Sequence, residues 1–306
     1  MNKNELKIRL AAFNWLSKQV ELYESVLPRS ILEKGFEYED QRIPLISPQG
    51  IFKPKIMNLP LTITTAPEGP YQDRFDKNNL LLYRYRGTDP KHRDNVGLRT
   101  AMQKQVPLIY LFGLMPGKYM PVWPVFIVDD DPDNLTFRVA VEEFDQIENL
   151  YQYQSEKLFV ADTNRDIRRQ YLTAQTKHRV HQEKFRKLVL SAYQNQCSFC
   201  HLRHRELLDA AHIISDKEPE GEPIVNNGIA LCKIHHAAFD KFFLAIRPDY
   251  VLEVRKDVQK EEDGPMLLHG LQGLHGKRII LPRAHNQWPD QTLLEKKYEY
   301  FKNAGK

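Results

Sequence analysis

The sequence holds no uninterrupted apolar run of roughly 20 residues, the length a membrane-spanning helix needs. Its N-terminal stretch MNKNELKIRLAAFNWLSKQVELYESVL carries a charge every few residues, so it also lacks the apolar core of a secretory signal. A cytoplasmic protein with no membrane partner is expected. Cysteine is scarce: Cys197, Cys200 and Cys232 are the three present, an odd number that cannot all pair. A reducing compartment would not favour pairing in any case. All three fall in one short region, which points to metal more than to redox chemistry. Neither an internal repeat nor a low-complexity segment is visible, and 42% apolar with 27% charged residues is ordinary for a soluble protein. With 306 residues the chain exceeds one small core and suits two domains.

Net charge is also small, at +4, but it is unevenly spread. Between Arg165 and Arg205 stand ten Lys/Arg (Arg165, Arg168, Arg169, Lys177, Arg179, Lys184, Arg186, Lys187, Arg203, Arg205) against Asp166 and Glu183, a local net of +8. The stretch just before it, DDDPDNLTFRVAVEEFDQIENL, is acidic. A basic run leading into a cysteine cluster suggests a polyanionic partner, although a solvated linker helix has the same composition.

Hydrophobic periodicity divides the chain. Leu6, Leu10, Phe13, Leu16, Val20 and Tyr23 recur at steps of three or four and predict a helix over 5–25. From about 41 to 161 the pattern turns to short strand-like runs, PLTITT, LLLYRYRG, VPLIYLFG, YMPVWPVFIV and LTFRVAVE, with DNVGLRTAMQKQ as a short helix between two of them. A long helix is expected over 165–195, and a final one over 291–302 with Asp290 as its N-cap. The expected domains are 1–162, a helical connector 163–196, and 197–306. The fold class is α+β: a curved sheet or barrel with helices, then a small metal-stapled module.

Cys197-x-x-Cys200 and Cys232-x-x-His235 have the spacing of two halves of a tetrahedral site with four N/S ligands and no open position, which describes structural zinc. His201 and His204 are alternatives to His235 as the fourth ligand. In the second half, ALCKIHHAAFD, the adjacent His235 and His236 differ by about 100° around a helix, so they cannot serve one site together.

Between the two halves LLDAAHII reads as a strand ending near His212, VNNGIALC as a loop with an Asn pair and a second strand, and KIHHAAFD as a helix. This order of His, Asn and His, bracketed by zinc knuckles, resembles the HNH nucleases over roughly 185–247, and in particular their zinc-stapled branch among restriction endonucleases. The resemblance implies a ββα-metal module in which His212 is the general base, Asn227 holds the loop and helps orient the base, and His236 ligates one catalytic Mg²⁺ or Mn²⁺. Many such motifs place Asp or His directly before the base as a second metal ligand; here that position is Ala211. Asp240, four residues after His236 on the same helix face, is the expected substitute. Asp209 is a weaker candidate, since strand alternation places it opposite His212.

The segment from GPYQDRFDKNNLLLYRYRGTDP to GKYMPVWPVFIV resembles, over about 60–130, the SRA domains that flip a modified cytosine out of DNA. That resemblance implies base stacking by Tyr71 and Tyr83, twelve apart, with Asp73 accepting from the cytosine amino group. Arg74 stands where the family has its base-reading Asp, and the triplet Tyr85-Arg86-Gly87 makes Tyr85 a competitor of Tyr83.

These readings describe a modification-dependent endonuclease acting on double-stranded DNA, with Arg179, Lys184, Arg186 and Lys187 gripping the backbone. One such site cuts one strand, so a double-strand break needs a homodimer or two binding events. Two alternatives stand beside it: a nuclease whose N-terminal half senses a small nucleotide, and a non-catalytic zinc-containing DNA-binding protein. The second would explain zinc and charge but not His212, Asn227 and Asp240.

Overall fold

The computed structural model describes residues 3–66, 74–142, 163–262 and 264–304. The chain divides into two compact units, Met1–Val180 and His181–Lys306.

In the first unit, helix α1 (Lys3–Leu22) is followed by a short strand β1 (Leu27–Pro28), helix α2 (Arg29–Lys34) and the ribbon β2 (Phe36–Tyr38) with β3 (Gln41–Ile43). A curled half-barrel sheet forms next. It contains β4 (Ile51–Phe52), β5 (Thr62–Thr65), β6 (Arg74–Phe75), β7 (Leu81–Arg84), β8 (Leu108–Met115), β9 (Lys118–Asp131) and β10 (Thr136–Val141), with α3 (Arg93–Gln103) between β7 and β8. The spatial order is β4-β5-β8-β9-β10-β7-β6, with β1 also on β9. Among the described residues β5 and β8 pair in parallel, and the other neighbours are antiparallel. All five expected strands and the short helix lie in this sheet and α3.

Strand alternation gives the central sheet two apolar faces. Ile109 and Leu111 of β8 pack with Ile8, Ala12, Phe13 and Leu16 of α1. Leu108 and Tyr110 face the other way, into a cluster with Leu98 of α3, Val125, Ile127 and Phe137. The buried face of α1 keeps Phe13 and Leu16 from the expected one but is otherwise shifted. It runs through Glu5, Ile8, Arg9, Ala12, Phe13 and Leu16, while Leu22 and Tyr23 are exposed. Two buried charges cause the difference. Arg9 donates to the carbonyls of Pro107 (2.9 Å) and Pro60 (2.8 Å), and Glu5 accepts from the amide of Asn58 at 2.5 Å. A charge satisfied by backbone groups can occupy a core-facing position that pattern reading reserves for apolar residues.

Helix α4 (Thr163–Ala192) contains the division between the units. Its last turns are core rather than connector: Phe185, Val189 and Leu190 are buried in the second unit. There β11 (Leu208–His212) and β12 (Gly228–Cys232) form an antiparallel ribbon, with Leu208 opposite Cys232 and His212 opposite Gly228. Helix α5 (Lys233–Asp240) follows directly. A second ribbon, β13 (Leu244–Ile246) with β14 (Leu252–Val254), leads to α6 (Lys256–Lys260), α7 (Pro265–Gly270) and α8 (Gln291–Ala304). The carboxylate of Asp290 caps α8, accepting from the amides of Thr292 (2.7 Å) and Leu293 (3.2 Å).

The C-terminal part of this unit is tied to its 197–200 and Asn226 loop segments. The Ile280 amide donates to the Ser198 carbonyl at 2.9 Å, and the Ser198 hydroxyl returns a bond to the Ile280 carbonyl at 2.8 Å. The Asn226 side chain donates to the carbonyls of Asn286 (3.0 Å) and Trp288 (2.8 Å), and its own carbonyl accepts from the Asp290 amide at 2.9 Å. Leu294 of α8 completes the apolar cluster of Phe185, Leu208, Ile229, Leu231 and Phe239.

Candidate functional site

Two groups of side chains lie on the two sides of α5. The first is the cysteine cluster. One donor atom from each of Cys197, Cys200, Cys232 and His235 lies within 4.8 Å of all the others. His235 Nδ1 is 3.4 Å from Cys197 Sγ and 3.2 Å from Cys232 Sγ, near the edge length of a tetrahedron with zinc bonds of about 2.0–2.3 Å. Hydrogen bonding to the Cys197 sulfur pulls the Cys232 thiol down and pushes the Cys200 thiol up, so the sulfurs act as one coupled group. Burial disfavours a charged His235, but contacts with the Cys197 and Cys232 sulfurs outweigh it and raise its pKa to about 10.

The other ring nitrogen of His235, Nε2, bonds the Gly270 carbonyl at 2.7 Å. That carbonyl lies at the end of α7, in GPMLLHGLQGLHG, and it holds the ring so that Nδ1 faces the sulfurs. A bond on the far nitrogen is the usual way a metal-ligating imidazole is fixed in one tautomer and orientation. The donor set fits zinc. His201 and His204 are not part of it.

The second group lines a pocket of about 500 Å³ that includes His212, His236, Asp240, Asp209, Arg186, Glu183 and Lys297. His236 sits between two carboxylates: Nδ1 is 3.4 Å from Asp209 Oδ2, and Nε2 is 3.2 Å from Asp240 Oδ2. Asp209 and Asp240 together raise its pKa to about 9. Burial pushes both carboxyls up, but His236 overrides it and holds them below their usual value. The 3.2 Å separation of Nε2 and Oδ2 is close to the roughly 3.0 Å between neighbouring ligands of an octahedral ion with bonds of about 2.1 Å. Asp209 on Nδ1 completes a carboxylate–histidine arrangement that orients Nε2 toward Asp240.

The position of Asp209 corrects the expectation from strand alternation. Alternation sets the direction of a Cβ but not the reach of a carboxylate on a short, twisted two-stranded ribbon. Here the Asp209 carboxylate accepts from the Ala210 amide at 2.8 Å and approaches Arg186 Nε at 3.5 Å, and these contacts turn it to His236.

His212 ends β11 with its ring stacked on Phe185, centroids 4.0 Å apart and planes 15° from parallel. Burial holds its pKa below the ordinary 6.5, so the ring is neutral at neutral pH. Its Nε2 is buried without a hydrogen-bond partner among the described residues, and so is Glu183 Oε2. Asn227 is fully buried and pins the turn after His212. It accepts from the Ile214 amide (2.9 Å) and donates to the carbonyls of Ile214 (2.9 Å) and Glu222 (3.0 Å), while its own carbonyl accepts from the Ile213 amide at 2.9 Å.

Other expected residues are placed differently. Of the four for the DNA backbone, Lys184 is exposed. Arg179 is also exposed and donates to Ser25 at 3.0 Å. Lys187 is buried, and Arg186 is committed inward, donating to the Leu208 carbonyl at 2.8 Å and pairing with Asp209. Arg169, also in the basic run, forms a largely buried ion pair with Glu142. Three of the run's ten basic residues, Arg169, Arg186 and Lys187, therefore serve the fold.

Tyr71 and Asp73 lie outside the described residues. Tyr83, expected in a base sandwich, is a core residue, 6% exposed, with its hydroxyl donating to the Thr64 carbonyl at 3.4 Å. Its competitor Tyr85 is stacked on Phe137 at 4.5 Å and hydrogen-bonded to Asp130. Neither ring is free for stacking, because both fill the space between the sheet and α3.

Residues 197–247, which lie within the second unit, match the family described as HNH endonuclease. Among solved structures the chain is similar to a modification dependent TagI restriction endonuclease, at 16% identity over 79% of this chain and 81% of that one, with a TM-score of 0.31. It is similar also to the Type IV phosphorothioation-dependent restriction endonuclease ScoMcrA, at 16% identity over 58% and 49% of the respective chains, with a TM-score of 0.21. No curated protein matches. No described helix is long and apolar enough to cross a membrane.

Proposed function

We propose that the protein is a metal-dependent endonuclease that hydrolyses phosphodiester bonds of DNA carrying a modified cytosine. The observation that carries this reading is the meeting, in one pocket of the HNH unit, of an uncommitted neutral His212 and the His236–Asp240 pair. His212 takes the proton from the attacking water; its depressed pKa keeps the ring in the basic form. Phe185 holds the ring plane, and Asn227 holds the turn that follows. His236 Nε2 and Asp240 would hold one divalent ion, Mg²⁺ or Mn²⁺, with Asp209 orienting the imidazole. When bound, such an ion supplies charge stabilisation for the phosphorane-like transition state and the leaving oxygen. Cys197, Cys200, Cys232 and His235 would hold the structural zinc.

Reading of a modified cytosine is assigned to the first unit on the order of its sequence motifs. The decisive experiment is a digest of plasmid DNA containing cytosine, 5-methylcytosine or 5-hydroxymethylcytosine, with Mg²⁺ or Mn²⁺. Cutting confined to modified DNA is expected. Equal cutting of all three would remove the modified-base reading, and no nicking under any metal would remove the enzyme. His212→Ala is expected to abolish cutting while zinc content and DNA binding survive.

A further inference from the structure

Lys297 was not singled out by any motif, yet it lines the same pocket as His212 and Asp240. Its backbone belongs to α8, 57 residues beyond Asp240. The helix is held in place by the Asp290 cap, by the Asn226 bonds to Trp288 and to Asp290 itself, and by burial of Leu294 and Phe301. The ammonium lies 4.8 Å from the centroid of Phe239 and 5.0 Å from that of Phe242. Among the described residues it has no hydrogen-bond acceptor and no carboxylate within ion-pair distance. Its neighbours Lys296 and Lys302 on the same helix are, by contrast, each paired with glutamates. Half-burying a cation without an acceptor is unfavourable, and desolvation lowers its pKa against the opposing charges of Asp240 and Glu218. Two aromatic faces offset part of that cost. Its three N–H donors remain unused beside the candidate base and metal ligands.

We propose that Lys297 contacts a non-bridging oxygen of the scissile phosphate, making α8 a working part of the nuclease pocket. This rests on the nuclease reading above. Charge on those oxygens grows as water attacks, so a preplaced ammonium in a partly dry pocket favours the transition state over the bound ground state. The placement also explains the two aromatic rings: they fix the cation without supplying an acceptor that would compete with phosphate.

The test uses the full chain and whichever plasmid the wild type cuts in the digest above. Lys297→Met is expected to lower kcat by about 100-fold or more with KM changed less than about threefold, and Lys297→Arg to recover to within about tenfold of wild type. Met replaces a desolvated charge by an apolar chain against Phe239 and Phe242, so zinc content and Tm should hold. Zinc loss, or a fall in Tm of more than about 5 °C, would mark the ammonium as a structural cation and overturn the proposal. So would a kcat for Lys297→Met within about threefold of wild type. If the wild type cuts nothing, it is the nuclease reading that fails; if the wild type cuts and Lys297→Met cuts equally, only the role of Lys297 fails.

Discussion

Gly228 lies directly across the ribbon from His212, and the space a side chain would need is already filled. A Cβ there would stand 2.9 Å from Phe185 Cζ and closer still to Val189 Cγ2. Phe185 is the ring that His212 stacks on, so the missing side chain is what allows α4 to support the candidate base. Gly228→Ala is expected to cost about 1–3 kcal/mol of stability through overpacking, measured by urea unfolding, and to reduce cutting by more than the stability loss explains. The adjacent histidines separate at the same scale. His235→Ala should release zinc and unfold the second unit, whereas His236→Ala should keep zinc and the fold, with a lower Tm from the two carboxylates that lose this partner, but lose cutting; metal analysis and melting on both variants decide it. That division was legible in the sequence, because 100° per residue and a Cys-x-x-His spacing need nothing beyond helix geometry. The turn of the Asp209 carboxylate toward His236 and the arrival of Lys297 were not. One depends on how a carboxylate bends on a twisted ribbon, and the other on the tertiary packing of a distant helix.

Helices show the same divide between local and tertiary information. The cap of α8 was readable, since an aspartate just before an apolar-periodic run has a local job. Asp290 does accept from two amides of the first turn. Asp290→Ala should therefore destabilise the second unit by about 1 kcal/mol, seen as a lower urea midpoint at unchanged m-value. The existence of α1 was equally legible, but the shift of its buried face was not, because Arg9 and Glu5 find backbone partners contributed by remote loops. The strands of the first unit were readable from β-branched and aromatic runs; their order, with β8 beside β5 in parallel and β10 beside β7, was not. The basic run 165–205 was visible as charge, yet its division into inward and outward residues is a property of packing. Lys187 and Arg186 point into the fold, and Lys184 does not.

At the scale of the molecule, the two units depend on metal in different ways. The first contains no cysteine and has extensive apolar clusters on both faces of its sheet. The second has one continuous apolar cluster that includes Cys197 and Cys232 themselves, so its core and its metal site are one structure. Phe199 links them: it lies 5.5 Å from His235 and 6.4 Å, edge to face, from Phe239, the ring that Lys297 sits on. In such a unit, binding free energy of the metal is folding free energy, on the order of 10 kcal/mol for structural zinc. Stripping the full chain with a thiol-compatible chelator should therefore lower or abolish the melting transition of the second unit while the sheet-rich first unit keeps its own. Two resolved transitions by calorimetry, of which one moves with zinc, are the expected result. Co-loss of both would mean that the first unit draws its stability from the second, which its separate apolar clusters argue against. Because the cluster, Phe199, Phe239 and Lys297 form one chain of contacts, zinc removal should also abolish cutting even when Mg²⁺ is abundant.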